Sequence, residues 1–286
     1  MQILYGVNST RNFIAQKKRK GLSCGFVPTM GALHAGHLSL LEHARKDNDL
    51  SVCSVYVNPT QFNSPQDLEK YPRDLEQDIQ LLEEAGCDAL FCPADEVIYP
   101  HGQANAVQMD FGPMSRVLEG KFRPGHFSGV GLVVSKLFNI VRPDRAYFGQ
   151  KDLQQCSIIN KLVSDLFFEV ELVTVPTVRE PSGLAMSSRN KRLSPAGRKV
   201  AANLCVALKA VQQGLEKDAS LDAARQQGLD VIARYPEIQL EYMEVVERMH
   251  FTVVREKPTK EKLAVCIAAY VEGVRLIDNL LLFSQD

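Results

Sequence analysis

Apolar and polar positions alternate in blocks along the first two-thirds of the chain, and the blocks change character after residue 176. Short, mostly apolar runs at 24–27, 51–57, 89–92, 146–148 and 171–175 lack strict alternation, as strands do when helices cover both faces of their sheet. Between them, 38–46, 73–85, 129–141 and 153–166 carry the spacing of amphipathic helices. In 74–85, Leu75, Ile79 and Leu82 share one face and charges occupy the other. Alternating β and α segments at this spacing predict an α/β domain with a doubly wound parallel sheet.

From Pro176 to Pro195 the chain becomes rich in proline, glycine and serine, the signature of a turn-rich connector. Ser194 as N-cap and Pro195 at the first helical position predict a long helix reaching about Glu216, followed by a second over 221–234. Strand-like runs follow at 239–246, 262–271 and 274–282, the last two separated by Glu272 and Gly273. Helices followed by a small antiparallel sheet predict a second, smaller α+β domain. The expected domains are therefore 1–180 and 181–286.

Bulk properties narrow the class. The 286 residues are 45% hydrophobic and 23% charged, which suits a globular protein with a substantial core. Lysine and arginine total 33 against 34 acidic residues, so the strongly basic balance of a nucleic-acid binder is absent. None of the seven cysteines forms a C-x-x-C pair and most sit in apolar runs, which predicts free buried thiols in a reducing cytosol. The N-terminus lacks the charged-then-apolar pattern of a signal peptide, and no apolar run approaches the ~20 residues that span a membrane. A cytoplasmic protein of enzyme size, with neither nucleic-acid nor membrane partners, is the expectation.

The chemistry concentrates where strands give way to helices. In Thr29-Met30-Gly31-Ala32-Leu33-His34-Ala35-Gly36-His37, an apolar run leads through a glycine-bearing turn into a helical stretch. Unsatisfied N–H groups and the dipole at a helix start favour an anion. Residues three apart share a face, so both imidazoles can address one phosphate chain. Alone, H-x-G-H serves equally as helix-start packing. The segment Ala185-Met186-Ser187-Ser188-Arg189-Asn190 supplies hydroxyls and a guanidinium suited to polyphosphate; by itself it reads as well as a solvated loop. Together the two segments give the two-part ATP signature of the nucleotidyltransferase superfamily.

Three further segments bear polar groups. Gly149-Gln150-Lys151-Asp152 ends one strand and opens a helix. Lys151 there can neutralise a phosphate, and Asp152 can accept a ribose hydroxyl, help hold magnesium or simply cap the helix. Gln155 lies one turn beyond Lys151. Asn58 and Gln61 follow the second strand and can hold hydroxyls and a carboxylate. Lys121 to Gly129 is a glycine-punctuated loop with three cationic candidates, either an anion site or plain surface.

In this order and spacing, these segments resemble the pantothenate synthetase (pantoate–β-alanine ligase) family. Leu68 to Asp74, Lys136 to Val141 and Arg275-Leu276-Ile277-Asp278-Asn279 also fit, and the resemblance covers essentially the whole chain. Gln150 stands where the family commonly has an acidic residue, and Gly131 where it commonly has alanine.

The resemblance implies ATP-dependent condensation of (R)-pantoate with β-alanine through a pantoyl adenylate, in a homodimer with a Rossmann-like N-terminal domain and a smaller C-terminal domain that acts as a lid. It assigns Met30, Gly31, Ala32, Leu33, His34, Ala35, Gly36 and His37 to ATP, with His37 as proton donor. Gly149, Gln150, Lys151, Asp152, Val178, Met186, Ser187, Ser188 and Arg189 also fall to ATP. Gln61 and Gln155 fall to pantoate, Gln61 also to β-alanine, while His34, Asn58 and Lys151 are further active-site candidates. Magnesium would accompany ATP, its ligands unassigned. The alternatives are another small-molecule nucleotidyltransferase, a tRNA-dependent synthetase and a non-catalytic nucleotide sensor. The first leaves the last hundred residues unexplained, the second lacks a nucleic-acid module, and the third fits poorly with intact motifs.

Overall fold

Strands β1 (Gln2–Leu4), β2 (Cys24–Thr29), β3 (Leu50–Val55), β4 (Ala89–Phe91), β5 (Arg145–Gly149) and β6 (Glu171–Val175) form one sheet in the order β1-β4-β3-β2-β5-β6. Every pairing in it is parallel. The computed structural model describes residues 1–256 and 262–283, so 257–261 and 284–286 of the expected second domain lie outside the described residues. Helices α1 (Val7–Lys18), α2 (Ala35–Asp47), α3 (Pro65–Glu69), α4 (Leu75–Glu84), α5 (Asp95–Ile98), α6 (Leu118–Phe122), α7 (His126–Val141) and α8 (Leu153–Asp165) connect the strands.

The near-continuous burial of β2, β3 and β4 explains their lack of alternation. Successive residues still point to opposite faces. Tyr147 on β5 joins a core cluster with Val27, Leu41 and Leu82, whereas the next residue, Phe148, meets Phe138 of α7 edge-on with centroids 6.4 Å apart. Helices therefore cover both faces, as the doubly wound reading requires.

Several elements depart from the expected pattern, the short helices α3, α5 and α6 among them. β1 and α1 are not legible in it, because β1 has three residues and α1 buries only Thr10 and Ile14. In α4, Leu75 is 40% exposed while Asp78 is 1% exposed, so a carboxylate lies on the face that the pattern assigns to leucine.

The second unit comprises Gln150–Ser157 and the chain from Thr177 onward; the first is Met1–Gly149 with Ile158–Pro176. The pattern sets a single cut between 180 and 181, whereas the units part at Pro176 and reassign the start of α8. Hydrogen bonds are the cause: Asn279 donates to the Gln150 and Lys151 carbonyls, and Ser157 donates to that of Arg248. Strands β7 (Gln239–Glu247), β8 (Leu263–Val271) and β9 (Val274–Leu282) form an antiparallel sheet in sequence order.

The long helix expected from Ser194 to Glu216 is two helices, α9 (Pro195–Ala201) and α10 (Asn203–Glu216), followed by α11 (Leu221–Ile232). Ser194 does cap α9, its hydroxyl accepting from Gly197 N–H at 3.0 Å. The break falls at Ala202, where the Asn203 amide donates to the carbonyls of Lys199 and Val200, 3.3 and 2.9 Å away, and competes with the helical ladder. Leu204, Leu208, Val211 and Leu215 of α10 pack with Val265 and Ile267 of β8 into this unit's core. No helix among the described residues is long and apolar enough to cross a membrane.

Candidate active site

Strand order reverses between β2 and β5, and the sheet opens there. β2 pairs with β3 through Thr29, and β5 with β6 through Gly149, but β2 and β5 pair only at Gly25–Arg145 and Phe26–Ala146. Their C-terminal ends diverge, which makes the crevice where open α/β sheets bind ligands. The His34–His37 turn leaves from the β2 side of this opening.

That turn is built on a strained backbone. Gly31 has φ +79° and Ala32 φ +49°, the left-handed region. A Cβ on Gly31 would sit 2.7 Å from Asp78 Oδ2, so both conformation and space call for glycine. The buried Asp78 carboxylate accepts from the Ala32 and Leu33 N–H groups at 2.9 and 2.7 Å. Thr29 Oγ1 donates to the Ser54 carbonyl and accepts from Gly31 N–H. His34 then caps α2, its Nδ1 accepting from Gly36 N–H at 3.1 Å. An accepting Nδ1 places the proton of the neutral ring on Nε2. The His34 and His37 rings stack with centroids 4.0 Å apart, so the two imidazoles present themselves as a pair.

After β3, a single turn of 3-10 helix at Pro59–Gln61 carries the two amides. Asn58 is 1% exposed and fully engaged: Nδ2 donates to Gln61 Oε1 and the Gly129 carbonyl, while Oδ1 accepts from Tyr99 and Thr60. Gln61 Nε2 lies 3.0 Å from Met30 Sδ, which links this turn to the histidine turn. Behind it, His126 Nδ1–H donates to the Gln61 carbonyl at 2.8 Å, leaving Nε2 to accept from Arg123 at 3.1 Å. The Lys121–Gly129 segment, open above between anion site and surface loop, thus props Gln61 from behind. Gly129 is required for that approach, since a Cβ there would meet the Thr60 carbonyl oxygen at 2.4 Å. Lys136 stands 4.1 Å above the Tyr99 ring and donates to the Ile98 carbonyl; burial holds its ammonium below its ordinary value.

In the second unit, Gln150–Asp152 forms a 3-10 turn in which Lys151 pairs with its neighbour Asp152 at 3.3 Å. Gln155, half-buried, follows on α8. Val178 accepts from Met186 N–H at 2.9 Å, and Arg179 bridges Ala185, so Met186 to Arg189 leaves a small hairpin rather than a loose linker. Ser187 caps the following 3-10 turn through Arg189 N–H, and the buried Asn190 ties it to Glu180 and the Ala185 carbonyl. Arg179 forks onto Asp278 at 2.6 and 2.9 Å.

Two sets of expected residues therefore emerge. Met30 to His37, Asn58, Gln61 and Gly149 belong to the first unit, and Gln150 to Asp152, Gln155, Val178 and Met186 to Arg189 to the second. Asp78 and Tyr99 lie outside the sequence expectations, and His126 enters them only as one of the cationic candidates of the Lys121–Gly129 loop. Asp78 carries one signal, a carboxylate one turn from buried Leu82 on the same helical face. Among the described residues no three histidine, cysteine or acidic side chains cluster as metal ligands.

The pantoate-β-alanine ligase family model matches residues 2–281. The chain belongs to this family. A pantothenate synthetase from Cytophaga hutchinsonii is 49% identical over 277 residues, covering 96% of this chain and 97% of that one. The crystal structure of pantothenate synthetase from Thermus thermophilus superposes with a TM-score of 0.91 at 44% identity, covering 98% and 99%. A pantoate-β-alanine ligase from Francisella tularensis, complexed with β-γ ATP and β-alanine, gives 0.81 at 36% identity over 98% and 97% of the chains. The family's fold thus extends across both units, each of which carries a share of the candidate residues.

Proposed function

We propose that this chain joins pantoate to β-alanine at the expense of ATP, yielding pantothenate, AMP and pyrophosphate through a pantoyl adenylate. The observation that carries the reading is the family match from residue 2 to residue 281. The β-γ ATP and β-alanine complexed with the Francisella relative support the nucleotide and amine as substrates here.

In the first half-reaction a pantoate carboxylate oxygen attacks the α-phosphorus and the bond to the β-phosphate oxygen breaks. The protein positions the reactants and stabilises charge; it contributes no covalent nucleophile. His34 and His37, held by the α2 cap and by Asp78, meet the triphosphate, with His37 donating to the departing pyrophosphate. Lys151, Ser187, Ser188 and Arg189 share the remaining charge, with Mg²⁺ entering as part of the nucleotide substrate. Gly149, Gln150, Asp152, Val178 and Met186 line the nucleotide through backbone and side chain. Gln61 and Gln155 hold pantoate, and Asn58 fixes the Gln61 amide. In the second half-reaction the neutral amine of β-alanine attacks the acyl carbon, AMP leaves, and the amine nitrogen loses its proton. Closure of the C-terminal domain excludes water from the adenylate. A cytoplasmic homodimer completes the reading.

Mass spectrometry of a reaction containing pantoate, β-alanine and magnesium ATP tests it. Equimolar pantothenate and AMP, each dependent on all three substrates, is the expected result. AMP without pantothenate, or products independent of pantoate, would overturn it.

A further inference from the structure

The Asp278–Asn279 pair of β9 belongs to a motif that the reaction leaves without a task. Asn279 is 2% exposed and lies in the same unit as Lys151. Its Nδ2 donates to two successive backbone carbonyls, those of Gln150 at 3.0 Å and Lys151 at 2.9 Å. Its Oδ1 accepts from Gln150 Nε2 at 3.2 Å. The orientation of the amide is therefore determined, because a flipped Asn279 would turn its oxygen toward two carbonyl oxygens. Gln150 supplies that donor, which a carboxylate at its position could not.

The backbone of Asn279 is equally constrained. Asp278 Oδ1 accepts its N–H at 2.8 Å, and Arg179 Nη2 donates to its carbonyl while forking onto Asp278. Asp278 is itself 4% exposed, so this clamp sits out of water, where hydrogen bonds to a charge hold their geometry most firmly. A buried, doubly anchored amide thus fixes the peptide units on both sides of Lys151 Cα.

We propose that Asn279 is a positioning residue for Lys151: it sets the backbone from which the ammonium reaches the ATP phosphates. The inference rests on the reading of Lys151 as a phosphate contact. A group acting through Lys151 affects adenylate formation and leaves adenylate consumption alone, which separates positioning from general structural support.

The test uses the full-length enzyme and measures each half-reaction in Asn279→Asp, Asn279→Ala and Lys151→Ala. Pantoate-dependent exchange of pyrophosphate into ATP reads the first step. Pantothenate release from supplied pantoyl adenylate and β-alanine reads the second. In both Asn279 variants we expect exchange kcat to fall at least tenfold, with pantoate KM and the second half-reaction within twofold of wild type. Lys151→Ala lowers exchange further, and adding Asn279→Ala to it costs less than twofold more. Should the Asn279 variants not fold, Arg179→Lys loosens the clamp on the Asn279 carbonyl and Asp278 and lowers exchange three- to fivefold with the same selectivity. Equal losses in both half-reactions overturn the proposal. Wild-type exchange in folded Asn279 variants beside a defective Lys151→Ala overturns it while the Lys151 reading stands. Wild-type exchange in Lys151→Ala removes that reading, and the proposal with it.

Discussion

Two turns leave the C-terminal ends of the neighbouring strands β2 and β3, and they use their polar groups in opposite ways. In the His34–His37 turn the protein holds the backbone, through Asp78, Thr29 and the helix cap, and the two imidazoles stack on each other. In the Asn58–Gln61 turn the protein holds the side chain, and every polar atom of Asn58 is spent on Gln61, Gly129, Tyr99 and Thr60. Both turns bear family motif residues. One turn is held by its backbone and the other by a side chain, a distinction that burial and hydrogen bonding make and residue type does not.

The sharpest way to break this contrast is to truncate each turn in the place where it works. His37→Ala should lower turnover about a hundredfold, roughly 2.7 kcal/mol of transition-state stabilisation, with little change in thermal stability. Steady-state kinetics beside calorimetry checks this, and near-wild-type turnover would remove the imidazole from the chemistry. Asn58→Ala should do the reverse in kind. It removes the shared acceptor of the Tyr99 and Thr60 hydroxyls, which can then satisfy only one proton between them, and strands the Gly129 carbonyl; it should cost about 2 kcal/mol in chemical denaturation as well as raising KM for pantoate.

Asp78→Asn extends the test to the support of the histidine turn. An amide can accept from only one of the Ala32 and Leu33 N–H groups and presents a donor to the other, at a cost of about 2 kcal/mol. Stability and turnover should fall together, unlike in His37→Ala. The smallest effect concerns a contact remote from either turn. The Ser194 hydroxyl and backbone N–H hold the Glu272 carboxyl below its ordinary value. A depressed carboxyl contributes stability above its unfolded pKa and loses it as pH falls through the folded one. The Tm gap between wild type and Glu272→Gln should therefore be open at pH 7 and close below the ordinary carboxylate range.

What could be read from the sequence follows from how local each feature is. The strands from β2 to β6 and the histidine turn declare themselves within a few residues, through apolar runs and helix-start chemistry. The supports do not. Asp78 lies forty-odd residues from the turn it holds and looks, in sequence, like one more charge on an amphipathic helix. Tyr99 and Gly129 reach Asn58 from separate segments, and Asn279 reaches Lys151 across more than a hundred residues. The break at Ala202 is hidden for the opposite reason: it depends on the side-chain geometry of Asn203, which composition does not reveal. Gly131, a departure from the family pattern, acquires its reason only in three dimensions, where a Cβ would meet the Phe111 ring at 2.5 Å. Burial settles the cysteines too, with six of seven thiols buried and Cys156 intermediate. Burial drives the Cys24 thiol up to about 12 and Cys87 to about 11.

The division of labour between the turns requires that the histidine turn act on ATP before any amine is present. Exchange of labelled pyrophosphate into ATP, measured with pantoate and magnesium but without β-alanine, tests that requirement most directly. Exchange that depends on pantoate and proceeds without the amine is the predicted result; exchange that needs β-alanine would contradict a stepwise adenylate and the roles derived from it.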